Sequence, residues 1–583
     1  MPGRGADGAR RQGLPGLVAI PGAGTRARAS SRLRAAALFA AMPLLGGCTV
    51  VEAPTRQTSV QESASLQRVR RLFARIAPTL EKNRKAFEGP TGAVFGFGAG
   101  EAYPQIWLRD STWIVEAAAA YYAEESLTSW LDLHLAYAEK GGRLRDWVAR
   151  GPADGFREWA PRVQERNGVS FDTNTNESDQ EPSAALAHCR TERILGARPG
   201  MDAGERGLRR KRLVVAMDAL IRDRTDARTG LIWSGLTADW GDVSPSYPDQ
   251  RAIYRDAKTP RTLSLYSNVM AYAALDCLAA LSGPKAGRDA LAARAARLKD
   301  RVRKAFWMKD RGFFRIRLPL DPEPAGFSDD GQRFALGGNA LAALFGVADD
   351  AQAGSIFEAA ERLRLAEGLQ TISTTLIPPY AKAVFQHPAM REPFQYQNGG
   401  QWDWFGAALV EAEFERGFSE PARDHLDQIA SRILAGGPGI HEWYGRDNAP
   451  QGSSTYAAAA AALHNAVVKG LLGVSRSSEG YRVVIRTGGT LLPFELPQKA
   501  AGRLLVVSQT VSASGIDVRV ESDGPIEVVC SLTPRDSTPS ALAALDGPMP
   551  KSVEQRGADT LICADTSRSP LPVRVRFGLN GAR

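Results

Sequence analysis

The stretch Gly230-Leu-Ile-Trp233-Ser-Gly-Leu-Thr-Ala-Asp239-Trp240-Gly241-Asp242 is opened and closed by turn residues and sets two carboxylates three apart around a tryptophan. One helical pattern, Arg209 to Arg222, precedes it and another, Leu263 to Leu281, follows. The same alternation of helix and aromatic, acid-bearing loop fills the chain to about residue 474. The spacing of apolar residues predicts an amphipathic helix over Leu66 to Phe87, and further helices over Thr112 to Lys140, Asp289 to Trp307, Asn339 to Phe345, Gly354 to Leu363, Trp404 to Arg416, Pro421 to Leu434 and Tyr456 to Leu472. The connections are long and rich in Gly, Pro, Asp and aromatics, and long loops in compact domains are usually functional.

After Gly473 the periodicity changes to two. Tyr481 to Arg486, Arg503 to Val511, Gly515 to Glu521, Glu527 to Leu532 and Val573 to Phe577 read as short strands, which suggests a C-terminal β-sandwich over 475–583. Cys530 and Cys563 lie in this tail and are candidates for a disulfide in an exported chain. Cys189 and Cys277 sit in apolar helical contexts, where small buried packing is the expected role. The chain has no Cys-x-x-Cys and no paired His spacing, so no structural metal site and no cofactor are expected.

The chain has 583 residues, 44% of them hydrophobic, which is ample for a sizeable core and excludes a small module or a disordered tail. Its net charge of +9 first suggests an acidic partner. However, residues 1–47 hold seven arginines against the single acid Asp7, and the rest of the chain keeps only +3. No basic motif points to nucleic acid. Arg32 and Arg34 precede a short apolar run, Ala35 to Leu45, too short to span a bilayer permanently but matching the basic and apolar regions of an export signal. Its ending, Leu45-Gly46-Gly47-Cys48, resembles a bacterial lipobox, which implies cleavage before Cys48, lipid attachment there, and an envelope protein anchored on the periplasmic side of a membrane. Residues 48–65 then form a polar tether, and 66–474 the main domain.

Seven of the eleven tryptophans lie in or beside four short segments that also carry acids and amides. Aromatic faces beside carboxylates and carboxamides suit a sugar, whose C–H faces stack while its hydroxyls take directed hydrogen bonds. The first segment is Tyr103-Pro-Gln-Ile-Trp107-Leu-Arg109-Asp110-Ser111, just before a helix, where Asp110 or Ser111 also suits an N-cap. The second is the opening stretch, whose Asp239 and Asp242 also suit turn stabilisation. The third, Gln395-Tyr396-Gln397-Asn398-Gly399-Gly400-Gln401-Trp402-Asp403-Trp404, leads into a helix. The fourth is Gly439-Ile440-His441-Glu442-Trp443-Tyr444-Gly445. A further loop, Asn174 to Glu181, is dense in amides and carboxylates. There Ser178 and Glu181 have capping-box spacing, and Glu177 and Asp179 are substrate-loop candidates.

Trp107-Leu-Arg109-Asp110 resembles the Trp-x-Arg-Asp element of glucoamylases and the Gly-Arg-Asp element of glycogen-debranching glucosidases. Gly230-Leu-Ile-Trp233 with Trp240-Gly241-Asp242 resembles the debranching-type Gly-Leu-Ile-Trp and Trp-x-Asp, whose aspartate is the general acid. Tyr396-Gln397-Asn398-Gly399 and Trp402 are similar to Tyr-His-Asn-Gly and Trp, with Gln397 in place of the histidine. His441-Glu442 with Tyr444-Gly445 resembles the late segment that supplies the base. Together these imply a mainly α six-hairpin glycosidase, an (α/α)6 toroid over about residues 90–474 with its site in the loops at one end.

The resemblance implies an inverting glycoside hydrolase, α-glucosidase-like, with Asp242 as general acid and Glu442 as general base. The two carboxyls would stand about 6.5 to 9.5 Å apart to leave room for water. The aromatic wall of Trp240 is expected to keep Asp242 protonated. Substrate contacts are expected from Trp107, Arg109, Asp110, Glu177, Asp239, Trp240, Gln397, Asn398, Trp402 and Trp443, with Asp239 the rival to Asp242 as acid. Three other classes compete: a non-catalytic carbohydrate-binding lipoprotein, a polysaccharide lyase, which the acid-rich loops disfavour, and a sugar epimerase, which would need histidines where only His441 is present. Nothing in the sequence indicates an oligomeric state.

Overall fold

Two kinds of helix alternate along the chain. The computed structural model describes residues 62–196, 203–282, 285–327, 330–477, 480–501, 503–512, 515–522, 526–532, 550–564 and 573–578, so the expected lipidation site Cys48 and most of its tether lie outside the described residues. The first kind of helix is buried all round: α3 (Leu108–Tyr121), α5 (Gln180–Leu195), α7 (Leu265–Leu281), α9 (Leu336–Leu344), α11 (Asp403–Glu415) and α13 (Ala457–Asn465). In α7 only Asp276, Ala280 and Leu281 escape burial, and in α13 no residue does. The second kind buries one stripe: α1 (Ala64–Phe73), α2 (Ile76–Asn83), α4 (Glu125–Ala136), α6 (Ala203–Arg224), α8 (Lys285–Phe306), α10 (Asp350–Ala366) and α12 (Ser419–Ala435). The stripe of α8 is Leu291, Ala295, Leu298, Val302 and Phe306, at helical spacing.

This difference in burial follows from position. Helix α3 packs on α5, α5 on α7, α7 on α9, α9 on α11, α11 on α13 and α13 back on α3, a closed cycle with no solvent-facing side. Helices α4, α6, α8, α10 and α12 each pack outside the cycle member that precedes them, and α2 packs on α13. An all-round apolar helix can only be buried; a one-stripe helix serves as its cover. Each cycle member is reached through an outer helix, so all six run in the same direction and their N-terminal ends share one end of the bundle. Short strands brace the loops there. Ile106–Trp107 pairs with Trp147–Arg150, Trp233–Gly235 with Arg261–Ser264, and Trp443–Tyr444 with Pro450–Gln451.

Several local expectations are corrected. The pattern over Leu66 to Phe87 divides into α1 and α2 and ends at Asn83, because Arg84–Gly89 pairs in a hairpin with Gly92–Phe97. Thr112 to Lys140 divides into α3 and α4. The capping box at Ser178 and Glu181 does not form: the Ser178 hydroxyl donates to the Trp233 carbonyl, and Glu181 accepts from Arg143 and from the Leu144 amide. Cys189 on α5 and Cys277 on α7 are not merely packed. They meet as a disulfide between neighbouring cycle members, with Cα atoms 6.2 Å apart.

The tail forms two sheets. One has five strands in the order Ser475–Ser477, Gly480–Ile485, Ile526–Leu532, Asp559–Ala564, Pro550–Arg556; the other has Leu491–Gln498, Arg503–Ser512, Gly515–Glu521, Val573–Gly578. The strands at 475–477, 491–498, 550–556 and 559–564 add to those predicted. Cys530 pairs in register with Ile562, and Cys563 with Val529, on adjacent antiparallel strands. The tail meets the helices at Gly417, whose carbonyl accepts from the Ala558 and Asp559 amides. With φ at +80° and the Arg556 carbonyl 1.8 Å from where a Cβ would stand, only glycine fits this junction. Among the described residues no helix is long and apolar enough to cross a membrane.

Candidate active site

The N-terminal ends of the six cycle members converge on a cluster of carboxyls around Arg109. Strand pairing of Trp107 with Trp147 ends at the first residue of α3, so Trp107 is the N-cap and Arg109 and Asp110 fall in the first helical turn. Asp110 therefore does not cap the helix. The Arg109 guanidinium is buried and fully engaged. Its Nη2 lies 2.6 Å from Glu177 Oε2, its Nε 2.7 Å from Asp179 Oδ2 and its Nη1 2.7 Å from Asp242 Oδ1. Asp179 stands at the start of α5 and also accepts from the Tyr266 hydroxyl on α7 at 2.9 Å.

Asp242 is the most open of these acids, its side chain 29% exposed. Gln397 grips it twice, the side-chain amide donating to Oδ2 at 2.9 Å and the carbonyl accepting from the Asp242 amide at 3.1 Å. The Tyr396 hydroxyl adds a contact at 3.3 Å. The expected effect of the Trp240 wall is corrected here. Burial does push the Asp242 carboxyl up, but the Arg109 charge and hydrogen bonds from Glu177, Arg109 and Gln397 outweigh it and hold it below the usual aspartate range.

Glu442 has the opposite character. It is 5% exposed, accepts from the Tyr103 hydroxyl at 3.1 Å and from the Ser453 amide at 3.0 Å, and forms no ion pair among the described residues. Burial pushes it up to about 7, with the charges of Asp110 and Asp242 contributing. Asp242 and Glu442 thus lie near enough for the Asp242 charge to act on Glu442. Gly452, at φ +66°, presses against this carboxyl: a Cβ there would stand 2.5 Å from Glu442 Oε2. Asp110 is raised by burial to about 6 and accepts from Tyr456, while its Oδ1 has no hydrogen-bond partner among the described residues. That leaves a buried acceptor for a ligand hydroxyl.

Other predicted residues take different places. Asp239 turns away from the cleft and lies across the start of α9, its carboxylate accepting from the Gly338 amide at 3.1 and 3.2 Å. It anchors the start of a helix, and burial pushes it up to about 7 against the pull of the Gly338 and Gly337 amides. Asn398 is spent on the backbone of 380–392, accepting from the Tyr380 amide and donating to the Tyr380, Met390 and Glu392 carbonyls. Trp240 and Trp402 are 3% and 1% exposed and pack edge-on, so they form the floor of the cleft and not stacking faces. Trp443 is buried against Tyr396. Trp107 stays partly exposed beside Trp147 and Trp159. Residues not predicted as site residues are Tyr103, Tyr266, Tyr456 and Asp146; the last is buried, and its carboxyl is pushed well up with the Asp179, Asp242 and Asp110 charges nearby. Among the described residues no group of three or more His, Cys, Asp or Glu is arranged to hold a metal.

No protein-family model matches the chain, and no curated protein sequence does. Its fold is similar to solved glycosidase structures. The GH78 family rhamnosidase of Bacillus sp. GL1 matches 80% of this chain and 42% of its own at 17% identity, with a TM-score of 0.51. The Streptomyces avermitilis alpha-L-rhamnosidase complexed with L-rhamnose matches 88% and 41% at 13% identity, also at 0.51. The chain thus spans about two fifths of each. A GH63 mannosylglycerate hydrolase from Thermus thermophilus in complex with glucose matches 67% of this chain and 99% of its own, at 18% identity and a TM-score of 0.47.

Proposed function

We propose that this protein is a glycoside hydrolase, an (α/α)6 toroid with a β-sandwich tail, lipid-anchored through Cys48 on the periplasmic side of a bacterial membrane. The observation that supports the enzymatic reading is that Asp242 and Glu442, from two loops far apart in the chain, come together beside Arg109, Tyr103 and Tyr396, near enough for the Asp242 charge to act on Glu442. Two carboxyls brought together in this way, beside hydroxyl and amide donors, suit acid and base work on a glycosidic bond. The closed cycle of six buried helices and the likeness in fold to rhamnosidases support the architecture.

In this reading Asp242 protonates the leaving oxygen, Glu442 takes a proton from water, and the water attacks the anomeric carbon from the opposite face, with inversion. Asp110 Oδ1 and Gln397 are placed to hold sugar hydroxyls. The motifs favour an α-glucoside, and L-rhamnosides belong on the test panel because of the fold likeness. The mature chain, offered a panel of aryl glycosides and oligosaccharides, is expected to release the inverted anomer from one class. Asp242→Asn and Glu442→Gln are expected to lower that rate by about a hundredfold or more while leaving the fold intact. Release of the retained anomer overturns the mechanism, and unchanged activity in either variant overturns the pair.

A further inference from the structure

Asp242 poses a difficulty as a general acid: the same guanidinium that fixes its position removes its proton. The neighbouring carboxyl supplies an answer. Glu177 sits on Arg109 Nη2 at 2.6 Å and Asp242 on Nη1 at 2.7 Å, two nitrogens of one planar group, which lays the two side chains next to each other within hydrogen-bonding reach. Two carboxylates cannot hydrogen-bond to one another unless one of them carries a proton.

We propose that Glu177 and Asp242 form one acid pair on Arg109 that shares a single proton, and that Glu177 is the positioning residue from which Asp242 draws the proton it gives to the leaving oxygen. This rests on the glycosidase reading above. The placement of the two side chains fits such an order: Glu177 lies behind, 8% exposed, and Asp242 in front, its side chain 29% exposed. Asn174 fixes both, its side-chain amide donating to Glu177 Oε1 at 2.9 Å and to the Asp242 carbonyl at 2.9 Å; Gln180 donates to Glu177 Oε2 at 3.2 Å.

Charge agrees with geometry. Arg109 is a single cation facing Glu177, Asp179 and Asp242, with Asp146 and Asp110 close by and Tyr266, Tyr396 and Glu442 around them. The surplus negative charge must be relieved by a proton in so buried a place. Burial, with the charges of Asp146, Asp179 and Asp242, pushes Glu177 well above the glutamate range, while Asp242 is held low, so the proton rests on Glu177.

The step balances. As the glycosidic C–O bond breaks, its electron pair goes to the leaving oxygen, which takes the pair's single proton from Asp242 as Asp242 receives it from Glu177, leaving both as carboxylates. The attacking water bonds the anomeric carbon and gives one proton to Glu442. The cycle closes when Glu442 releases that proton to solvent and the Glu177–Asp242 pair takes one back.

The test is Glu177→Gln, which keeps the shape and can still donate to Asp242 but has no acid proton to pass on. With alkyl glycosides of the accepted sugar, kcat is expected to fall about a hundredfold, KM is expected to hold, and the alkaline limb set by the Glu177 proton is expected to disappear while the acid limb set by Glu442 stays. Dinitrophenyl glycosides, whose leaving groups need no protonation, should keep wild-type kcat within about threefold. Infrared difference spectra at neutral pH between wild type and Glu177→Gln should show the loss of one buried protonated-carboxyl band. Equal losses on both leaving groups, or a change in KM alone, overturn the proton transfer, and absence of the infrared difference overturns the shared proton. If the wild type cleaves no glycoside, the glycosidase reading fails instead, and the infrared result still decides the acid pair.

Discussion

Tyr103 and Glu442, 339 residues apart, meet through a 3.1 Å hydrogen bond from the tyrosine hydroxyl to Oε2. This bond and the Ser453 amide restrain the rise that burial imposes on Glu442. With the carboxyl at about 7, the base becomes available only as the pH climbs through neutrality.

For the wild-type enzyme, kcat/KM should therefore fall on the acid side of about pH 7, because Glu442 gains a proton and loses its capacity as base. The alkaline limb should lie above neutrality, where Glu177 gives up its proton. Tyr103→Phe removes a bond that favours the ionised form, so the acid limb should move to higher pH with the alkaline limb in place. A rate flat between pH 5 and 8, or a limb unmoved by Tyr103→Phe, contradicts this account; stopped assays across pH with an alkyl glycoside of the accepted sugar, whose leaving group needs protonation, measure it.

Arg109→Met should be costly for stability as well as for activity. It leaves Glu177, Asp179 and Asp242 buried without their cation, a loss of about 3 to 5 kcal/mol for an uncompensated buried charge. The sign with pH is definite. Without the guanidinium the folded-state carboxyls are raised above their unfolded values, so the penalty grows as pH rises through the carboxylate range and shrinks in acid. Denaturant unfolding at pH 5 and pH 8 should show the larger deficit at pH 8; equal deficits would mean that Arg109 acts by packing alone.

The loops were legible as a site because chemistry-bearing residues cluster in sequence there, and the helices were legible wherever one face is polar. Helix α5 was signalled only by the helix start at Ser178 and Glu181 and the apolar helical setting of Cys189; its extent was illegible for a physical reason: Gln180 to Thr191 is buried throughout, so it has no amphipathic period to read. Asp146 and Tyr456 reach the cleft only through strand pairing and ring closure, which leave no local signal. The reversed electrostatics of Asp242 were equally hidden. Trp240 is two residues away in the chain, whereas Arg109, which outweighs it, is 133 residues away.

At Lys469 a second buried charge group should behave as structure only. Lys469, on the last turns after α13, contacts Glu411 on α11 and lies 3.5 Å from Glu116 on α3, deeper in the bundle than Arg109 and Asp110 at the head of the same helix. Burial pushes Glu411 up to about 7, whereas Lys469 and Arg190 overcome burial and hold Glu116 at about 2. Lys469→Met should lower stability by about 3 to 5 kcal/mol and leave the kcat of the folded fraction unchanged. A change in kcat or in the pH limbs would show that the two ends of the bundle are coupled.

His425 on α12 offers the cleanest test of the helical framework. Its Nδ1 lies 3.0 Å from both oxygens of Glu413 on α11, and its Nε2 lies 3.2 Å from Glu361 on α10. Burial disfavours a charged ring, but the Glu413 and Glu361 carboxylates outweigh it and lift the imidazole to about 10. The folded value exceeds the unfolded value of roughly 6.5, so the stabilisation is complete below about pH 6.5 and disappears as pH rises through about 10. On the acid side, Arg364 and His425 hold Glu361 at about 2, and its share is lost as pH falls from about 4 towards that value. His425→Gln should therefore be less stable than wild type by about 2 to 4 kcal/mol at pH 6, and the gap should close towards pH 10. If urea unfolding instead gives the same gap at both pH values, the ring is neutral in the fold and the three helices are held there by shape, not by charge.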